Sequence, residues 1–116
     1  MVYRVVRSLA SDRDLSLIFD FLFETHRDLG DSLENAFAKA AARIRAIAND
    51  MEALGRTPFQ GTLSPEMMHG LRWVTKNRAI FYFHVEEEAA TVRVLAVFFG
   101  GADHRRKMLA RLAAED

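Results

Sequence analysis

The stretch that decides the fold is residues 71–99, which reads LRWVTKNRAIFYFHVEEEAATVRVLAVFF. β-branched and aromatic residues crowd three runs, at 71–74, 79–85 and 91–99, and charged or turn-forming residues separate these runs. The pattern predicts a three-stranded antiparallel meander. The middle run is almost wholly apolar, as expected of a central strand that is covered on both faces.

Each outer run of the meander carries an arginine, Arg72 or Arg93, where apolar residues would otherwise alternate. We therefore expect helices to seal one face of the sheet and the arginines to mark the other face as a binding surface. His84 shares a strand face with Tyr82, two residues away. A histidine in so apolar a strand is typical of a hydrogen-bonded core residue, so we do not assign it a catalytic role.

Two helices are predicted upstream of the meander. The first begins with Ser11 as its N-cap and Asp14 as the acid three residues on. It ends at Gly30, because glycine readily takes the left-handed conformation just past a helix. Asp31 then caps the second helix, with Glu34 completing a capping box. With only a glycine between them, the two helices should fold back as an antiparallel hairpin.

The remaining elements complete an α+β domain. A short candidate strand occupies residues 3–6, a connector rich in proline and glycine covers 56–70, and Asp103 is the predicted cap of a short C-terminal helix. We expect one domain spanning residues 1–116. The second helix of the hairpin carries an apolar stripe at heptad spacing, formed by Leu33, Phe37, Ala40, Ile44, Ile47, Met51 and Leu54.

Composition narrows the class of protein. The chain has 116 residues, half of them hydrophobic, and no cysteine, so a packed core is expected and disulfides are excluded. No apolar run is long enough to cross a bilayer, and the first residues lack the apolar core of a signal peptide. We therefore expect a soluble cytoplasmic protein without a membrane partner. The formal net charge of zero argues against strong non-specific binding to nucleic acid.

A basic cluster opens the last helix: His104, Arg105, Arg106 and Lys107 fill its first turn. Cations there oppose the helix dipole, at about 0.3–1 kcal/mol each when exposed. One interpretation is that these side chains simply extend into water. The other is an anion site, at which backbone N–H groups and basic side chains meet a carboxylate or phosphate. In the second interpretation the arginines of the meander join the cluster in one basic groove.

The sequence lacks the motifs of several kinds of binding or catalytic site. The four histidines show no paired spacing for a metal, Gly100-Gly101 lacks the lysine and further glycines of a phosphate loop, and no serine-nucleophile motif occurs. We therefore expect neither a metal nor another cofactor.

The order and spacing of several short motifs resemble the RelE/ParE superfamily of bacterial toxins, also called plasmid-stabilisation proteins. Besides the helical hairpin, the matching segments are Pro58 with Gly61, GLR at 70–72, NRAIFY at 77–82, VRVL at 92–95 and DHR at 103–105. The resemblance implies the RelE/ParE-like fold and a toxin of a type II toxin–antitoxin module. It also implies a cognate antitoxin, either ParD-like or another small DNA-binding protein, that neutralises the toxin in a hetero-oligomer.

Members of that superfamily fall into two groups with different activities. RelE-like members cut messenger RNA on the ribosome, without a metal, whereas ParE-like members inhibit DNA gyrase and are not nucleases. RelE has a lysine where this chain has Gly70 and an arginine where it has Ala79, and it has a C-terminal tyrosine that this chain lacks. These differences favour a ParE-like gyrase inhibitor that is not an enzyme. A RelE-like endoribonuclease and a non-toxic binding module with the same fold are the alternatives.

The resemblance and the basic cluster together give the candidate site residues. If the chain is a nuclease, the catalytic candidates are Arg72, Arg78, Tyr82, His104 and Arg105. For binding of the antitoxin or the target, the candidates are Arg72, Arg78, Arg93, His104, Arg105, Arg106 and Lys107.

Overall fold

A computed structural model describes residues 2–101 and 103–114. In chain order its elements are β1 (Arg4–Arg7), α1 (Leu9–Asp28), α2 (Leu33–Ala53), β2 (Thr62–Leu63), β3 (Leu71–Lys76), β4 (Ala79–Glu86), β5 (Thr91–Phe99) and α3 (His104–Ala114). The strands form one sheet in the order β1-β5-β4-β3-β2. The predicted α+β fold is confirmed, with its N-terminal strand, helical hairpin, meander and C-terminal helix. No helix in the described part of the chain is long and apolar enough to cross a membrane.

The meander forms as predicted, and two further strands extend it. β3, β4 and β5 pair antiparallel, within two residues of the predicted bounds. β1 pairs with the other edge of β5 in parallel, from Arg4 opposite Thr91 to Arg7 opposite Val94. β2 adds a two-residue edge strand inside the segment predicted to be irregular.

The central strand β4 is covered on both faces, as predicted. Ala79, Phe81 and Phe83 pack into a core with α1 and α2, whereas Ile80 and Tyr82 face a second core with Met108 of α3. All five of these side chains are at most 1% exposed. On this second face, α3 and its apolar neighbours seal the middle of the sheet.

A β-bulge in β5 reconciles its sequence with the two cores. Tyr82 lies opposite Ala96 and Phe83 opposite Val94, so Leu95 is the extra residue. Strict alternation would place Val94 and Val97 on opposite faces. With the bulge, both valines reach the core beneath α1 and α2, while Leu95 and Ala96 both contact the core beneath α3.

The predicted helix starts are wrong by one and three residues. α1 is capped by Ser8, whose hydroxyl oxygen accepts a hydrogen bond from the Ser11 N–H at 3.0 Å. The chain turns straight from β1 into α1, because the Ser8 N–H still bonds to the Val94 carbonyl of the sheet. Likewise Ser32, not Asp31, caps α2. The predicted end of α1 is confirmed: Gly30 has a φ of +99° immediately after Leu29.

Only part of the apolar stripe of α2 is buried. Ala40, Ile47 and Met51 are at most 1% exposed, whereas Leu33 is 61% exposed and Phe37 is also exposed. Phe37 contacts Phe19 of α1, with ring centroids 5.3 Å apart. The tip of the helical hairpin therefore packs on itself and presents apolar side chains to solvent.

Asp14 has a different role from the helix-start acid that the sequence indicated. β1 pairs with β5 only as far as Val94, so the outer edge of residues 95–99 lacks a strand partner. The Asp14 carboxylate accepts a hydrogen bond from the Val97 N–H at 2.9 Å. It also receives both terminal nitrogens of Arg111 from α3, each at 2.8 Å. Asp14 is only 5% exposed, so this bidentate pair joins α1, β5 and α3 away from water.

Asp14→Asn should lower the free energy of unfolding by about 3 kcal/mol, because it removes the charge that neutralises the partly buried Arg111 guanidinium. Urea denaturation measures this loss. The double variant Asp14→Asn/Arg111→Met should recover part of it, since removing both charges leaves no buried ion without its counter-ion. A loss below about 0.5 kcal/mol in the single variant would contradict this role, since that is the size of an ordinary surface effect.

Candidate functional site

The predicted site residues on the sheet and on α3 meet at Tyr82 and His104. Met108 and Leu112 hold α3 against the second core, which places the first turn of the helix over β3 and β4. The Tyr82 hydroxyl lies 2.8 Å from Nδ1 of His104. Tyr82 is buried, whereas His104 is partly exposed at the rim.

Aromatic rings surround this hydrogen bond. The Trp73 ring lies 4.9 Å from the imidazole of His104, centroid to centroid, and the Phe98 ring contacts Tyr82 edge-on at 5.9 Å. The indole N–H of Trp73 donates to the buried hydroxyl of Ser64 at 3.1 Å. We call Trp73, Tyr82, Phe98 and His104 the aromatic cluster. Neither Trp73 nor Ser64 was a candidate, since only the strand register and the docking of α3 bring them to His104.

The environment favours the neutral forms of both polar residues in the aromatic cluster. Burial raises the pKa of the Tyr82 hydroxyl, and the positive charge of Arg105 opposes this rise. Burial also lowers the pKa of His104, and the Arg105 charge lowers it further. A neutral imidazole that carries its proton on Nε2 accepts a hydrogen bond from the Tyr82 hydroxyl at Nδ1. The pair is therefore suited to fixing α3 on the sheet.

The remaining cations of the basic cluster lie outward from the aromatic cluster. Arg105 forms an ion pair with Glu66 at 3.0 Å, and the pKa of Glu66 is lowered by its own backbone N–H and by Arg105. Arg106 pairs with Asp103 at 3.0 Å, but its side chain remains 80% exposed. Asp103 directly precedes α3, as predicted, and its carbonyl accepts the Lys107 N–H at 3.0 Å, but its φ of +58° lies outside the extended region usual for an N-cap. Its carboxylate instead offsets part of the positive charge in the first turn.

The predicted single basic groove does not form. Leu71 and Trp73 face α3, so Arg72 between them points to the opposite side of the sheet. There its guanidinium donates to the Phe59 carbonyl and lies over the Phe59 ring. Arg78 is also on the side of α1 and α2, over the ring of Phe99. The two-residue period of β3 separates Arg72 from the basic cluster, and the turn between β3 and β4 places Arg78 on the same side as Arg72.

Arg93 alone among the arginines of the meander lies on the α3 side. It forms an ion pair with Glu86 at 2.9 Å and lines a cavity of about 310 Å³ beside His84 and Met108. His84 is half-buried at this cavity, so it is not enclosed in the core as predicted. The α3 side thus carries Arg93 on the sheet and the basic cluster His104, Arg105, Arg106 and Lys107 on the helix. This arrangement suits recognition of an acidic partner.

The free energy of unfolding should fall on acidification from pH 7 to 5 more steeply in the native chain than in a His104→Gln variant. Because the pKa of His104 is lower in the folded state than in the unfolded state, the unfolded chain binds more protons, and stability is lost as the pH falls from 6.5 through the folded pKa. Urea denaturation at several pH values tests this. If stability depended on pH in the same way in both proteins, this would contradict a lowered pKa of His104 in the folded state.

The sequence matches no protein-family model and no curated protein. Among solved structures, the toxin–antitoxin complex RelBE2 from Mycobacterium tuberculosis is similar over 85% of this chain and 99% of the matched chain, with 16% identity and a TM-score of 0.61. The chromosomal ParDE toxin–antitoxin system from P. aeruginosa is similar over 84% of this chain and 96% of the matched chain, with 18% identity and a TM-score of 0.62. This chain has the RelE/ParE-like fold.

Proposed function

We propose that this chain is the toxin of a type II toxin–antitoxin module and that a cognate antitoxin neutralises it in a hetero-oligomer. The observation that carries the proposal is the likeness of fold to chains from two toxin–antitoxin systems, over at least 84% of this chain. The motifs at 70–72, 77–82 and 103–105 resemble those of the toxin of such a pair, which assigns this chain that role. The partner is then a ParD-like or other small DNA-binding protein, and the complex works in the cytoplasm.

The α3 side provides a surface that suits an antitoxin. A cavity of about 400 Å³ opens between α1, β5 and α3, with exposed Leu17 and Phe21 in its wall and Lys107 at its rim. Arg106 and Arg105 are exposed on the same helix. An amphipathic acidic segment would bury its apolar side chains in the cavity and pair its carboxylates with these cations.

Two features support a binding protein that inhibits DNA gyrase over an endoribonuclease. Cleavage by a 2′-hydroxyl needs a base, an acid and cations around one phosphate. Of the nuclease candidates, Arg72 and Arg78 lie on the far side of the sheet from His104, and the buried Tyr82 hydroxyl is bonded to that histidine. The formal net charge of zero also gives no long-range attraction to ribosomal RNA.

Antitoxin binding is tested with the protein encoded beside this chain. The two proteins should co-purify, and Arg105→Ala/Arg106→Ala should weaken their binding roughly five- to thirtyfold, the effect of losing two exposed charge pairs. Isothermal titration calorimetry measures the affinities. Arg13→Ala/Arg45→Ala removes the same charge from the exposed faces of α1 and α2 and serves as the control. Equal affinities in the two double variants would exclude the α3 cations from the interface.

The target is tested with two purified systems run side by side. A gyrase inhibitor should reduce supercoiling of relaxed plasmid and leave ribosome-bound messages intact, and addition of antitoxin should restore supercoiling. Messages cut within codons on the ribosome, with normal supercoiling, would instead establish the RelE-like endonuclease. No effect in either system, together with harmless expression of the isolated chain, would indicate a non-toxic binding module.

A further inference from the structure

A second concave site lies on the opposite side of the sheet from α3. It is a hollow of about 530 Å³ between the helical hairpin and the β3–β4 turn. Leu22 and Phe99 form apolar walls, and the cationic residues Lys39, Arg43 and Arg78 line it. We call it the hairpin hollow. Of its cations, only Arg78 was a candidate from the sequence, because Lys39 and Arg43 lie on a helix far from the meander in the chain.

The backbone at Arg78 is strained. Lys76 pairs with Ala79, so Asn77 and Arg78 form a two-residue turn, and their φ angles are +49° and +71°. Two positive φ angles are the signature of a type I′ turn, which favours asparagine at the first position and glycine at the second. Asn77 fits this preference, whereas Arg78 places a long side chain where stability alone favours glycine. Such strain is typical of positions whose side chain has a function.

Two arginines of the hollow contact the same aromatic ring. The Cζ atoms of Arg43 and Arg78 lie 5.5 and 5.1 Å from the centroid of the same Phe99 ring. Arg43 donates to the Asn77 carbonyl, and among the described residues neither arginine forms an ion pair with a carboxylate. Both arginines therefore reach the wall of the same hollow, where an incoming anion can contact them.

The charge of the hairpin hollow is only partly balanced from within. Asp31 pairs with Lys39 at 2.9 Å and with His26 at 3.3 Å, and these two interactions lower the pKa of its carboxyl group. Asp50, the other acid near the turn, accepts a hydrogen bond from the Asn77 amide. The two guanidinium groups therefore carry a positive charge that an incoming anion can neutralise.

We propose that the hairpin hollow binds a carboxylate-bearing, partly apolar segment of a partner protein. An Asp or Glu carboxylate of that segment pairs with the cations of the hollow, Arg43 and Arg78, and an adjacent apolar side chain packs on Leu22 and Phe99. Exposed Phe21, whose ring lies 6.4 Å from that of Phe99, extends the apolar surface beyond the hollow. These apolar walls and the formal net charge of zero favour an acidic peptide over a nucleic-acid backbone. The inference does not depend on the proposed toxin function.

A labelled twelve-residue peptide of glutamate, leucine and alanine tests the site by fluorescence anisotropy. The native chain should bind this peptide and not its counterpart with glutamine in place of glutamate. Arg43→Gln and Arg78→Gly should each weaken binding by about fivefold or more, the loss of one charge-assisted contact. Arg45→Gln, which removes a charge from the exposed face of the same helix, is the control and should leave affinity within about twofold.

A pair of variants separates strain from binding. Arg78→Gly and Arg78→Ala both remove the guanidinium, so both should bind the glutamate peptide equally weakly. Only glycine suits a φ of +71°, so Arg78→Gly should melt roughly 4 °C above Arg78→Ala. Equal melting temperatures would show that the backbone at Arg78 is not strained, and this would overturn the inference.

Two further outcomes would also overturn the proposal. One is unchanged peptide affinity in Arg43→Gln and Arg78→Gly, which would exclude the hollow as the binding site. The other is binding of a labelled fifteen-nucleotide single strand, but not of the glutamate peptide, with the same two variants defective. That result would assign the hollow to nucleic acid. Since the probe is a synthetic peptide, these results stand whether or not the chain proves to be a toxin.

Discussion

The arrangement of this molecule depends on one buried carboxylate. Asp14 accepts the Val97 N–H and both terminal nitrogens of Arg111, so a single side chain connects the first helix, the open edge of β5 and the last helix. A carboxylate that is 5% exposed needs such partners, because an unpaired charge in that position would be strongly unfavourable. Once α3 is held there, Met108 completes the second core and His104 reaches Tyr82. The position of the basic cluster on the sheet therefore depends on contacts made toward the C-terminal end of α3.

The sheet then divides the basic residues between two sides. The side chains of a strand alternate, and the bulge at Leu95 changes that alternation only in β5. Arg93 consequently lies with α3 and Arg72 with the helical hairpin, while the β3–β4 turn places Arg78 on the hairpin side as well. The result is two cationic surfaces that both include Phe99, each next to exposed aromatic or aliphatic side chains. This division suits contact with more than one segment of a protein partner better than it suits catalysis at a single phosphate.

Local patterns in the sequence predicted the elements well, and non-local contacts account for what was missed. The apolar run of β4 and the glycine after Leu29 carry their own signals, and both predictions are confirmed. The start of α1 was misplaced because Ser8 and Ser11 are both plausible caps, and the pairing of β1 with β5 decides between them. Asp14 resembled a helix-start acid since its partner Arg111 lies 97 residues further on. The side of the sheet on which Arg72 lies depends on the register of β3, and no local sequence pattern predicts that register.

The long sequence separation between Asp14 and Arg111 has a consequence for how the protein folds during synthesis. The contacts that close the structure join Ser8 to Leu95 and Asp14 to Arg111, across 87 and 97 residues. Pairings of such long range are slow to form, because the loop between them must close first. During translation, the N-terminal strand and helix therefore cannot complete these contacts until residue 111 has emerged. A nascent chain interrupted before residue 111 would lack the ion pair between Asp14 and Arg111, so its last helix would be held less firmly on the sheet.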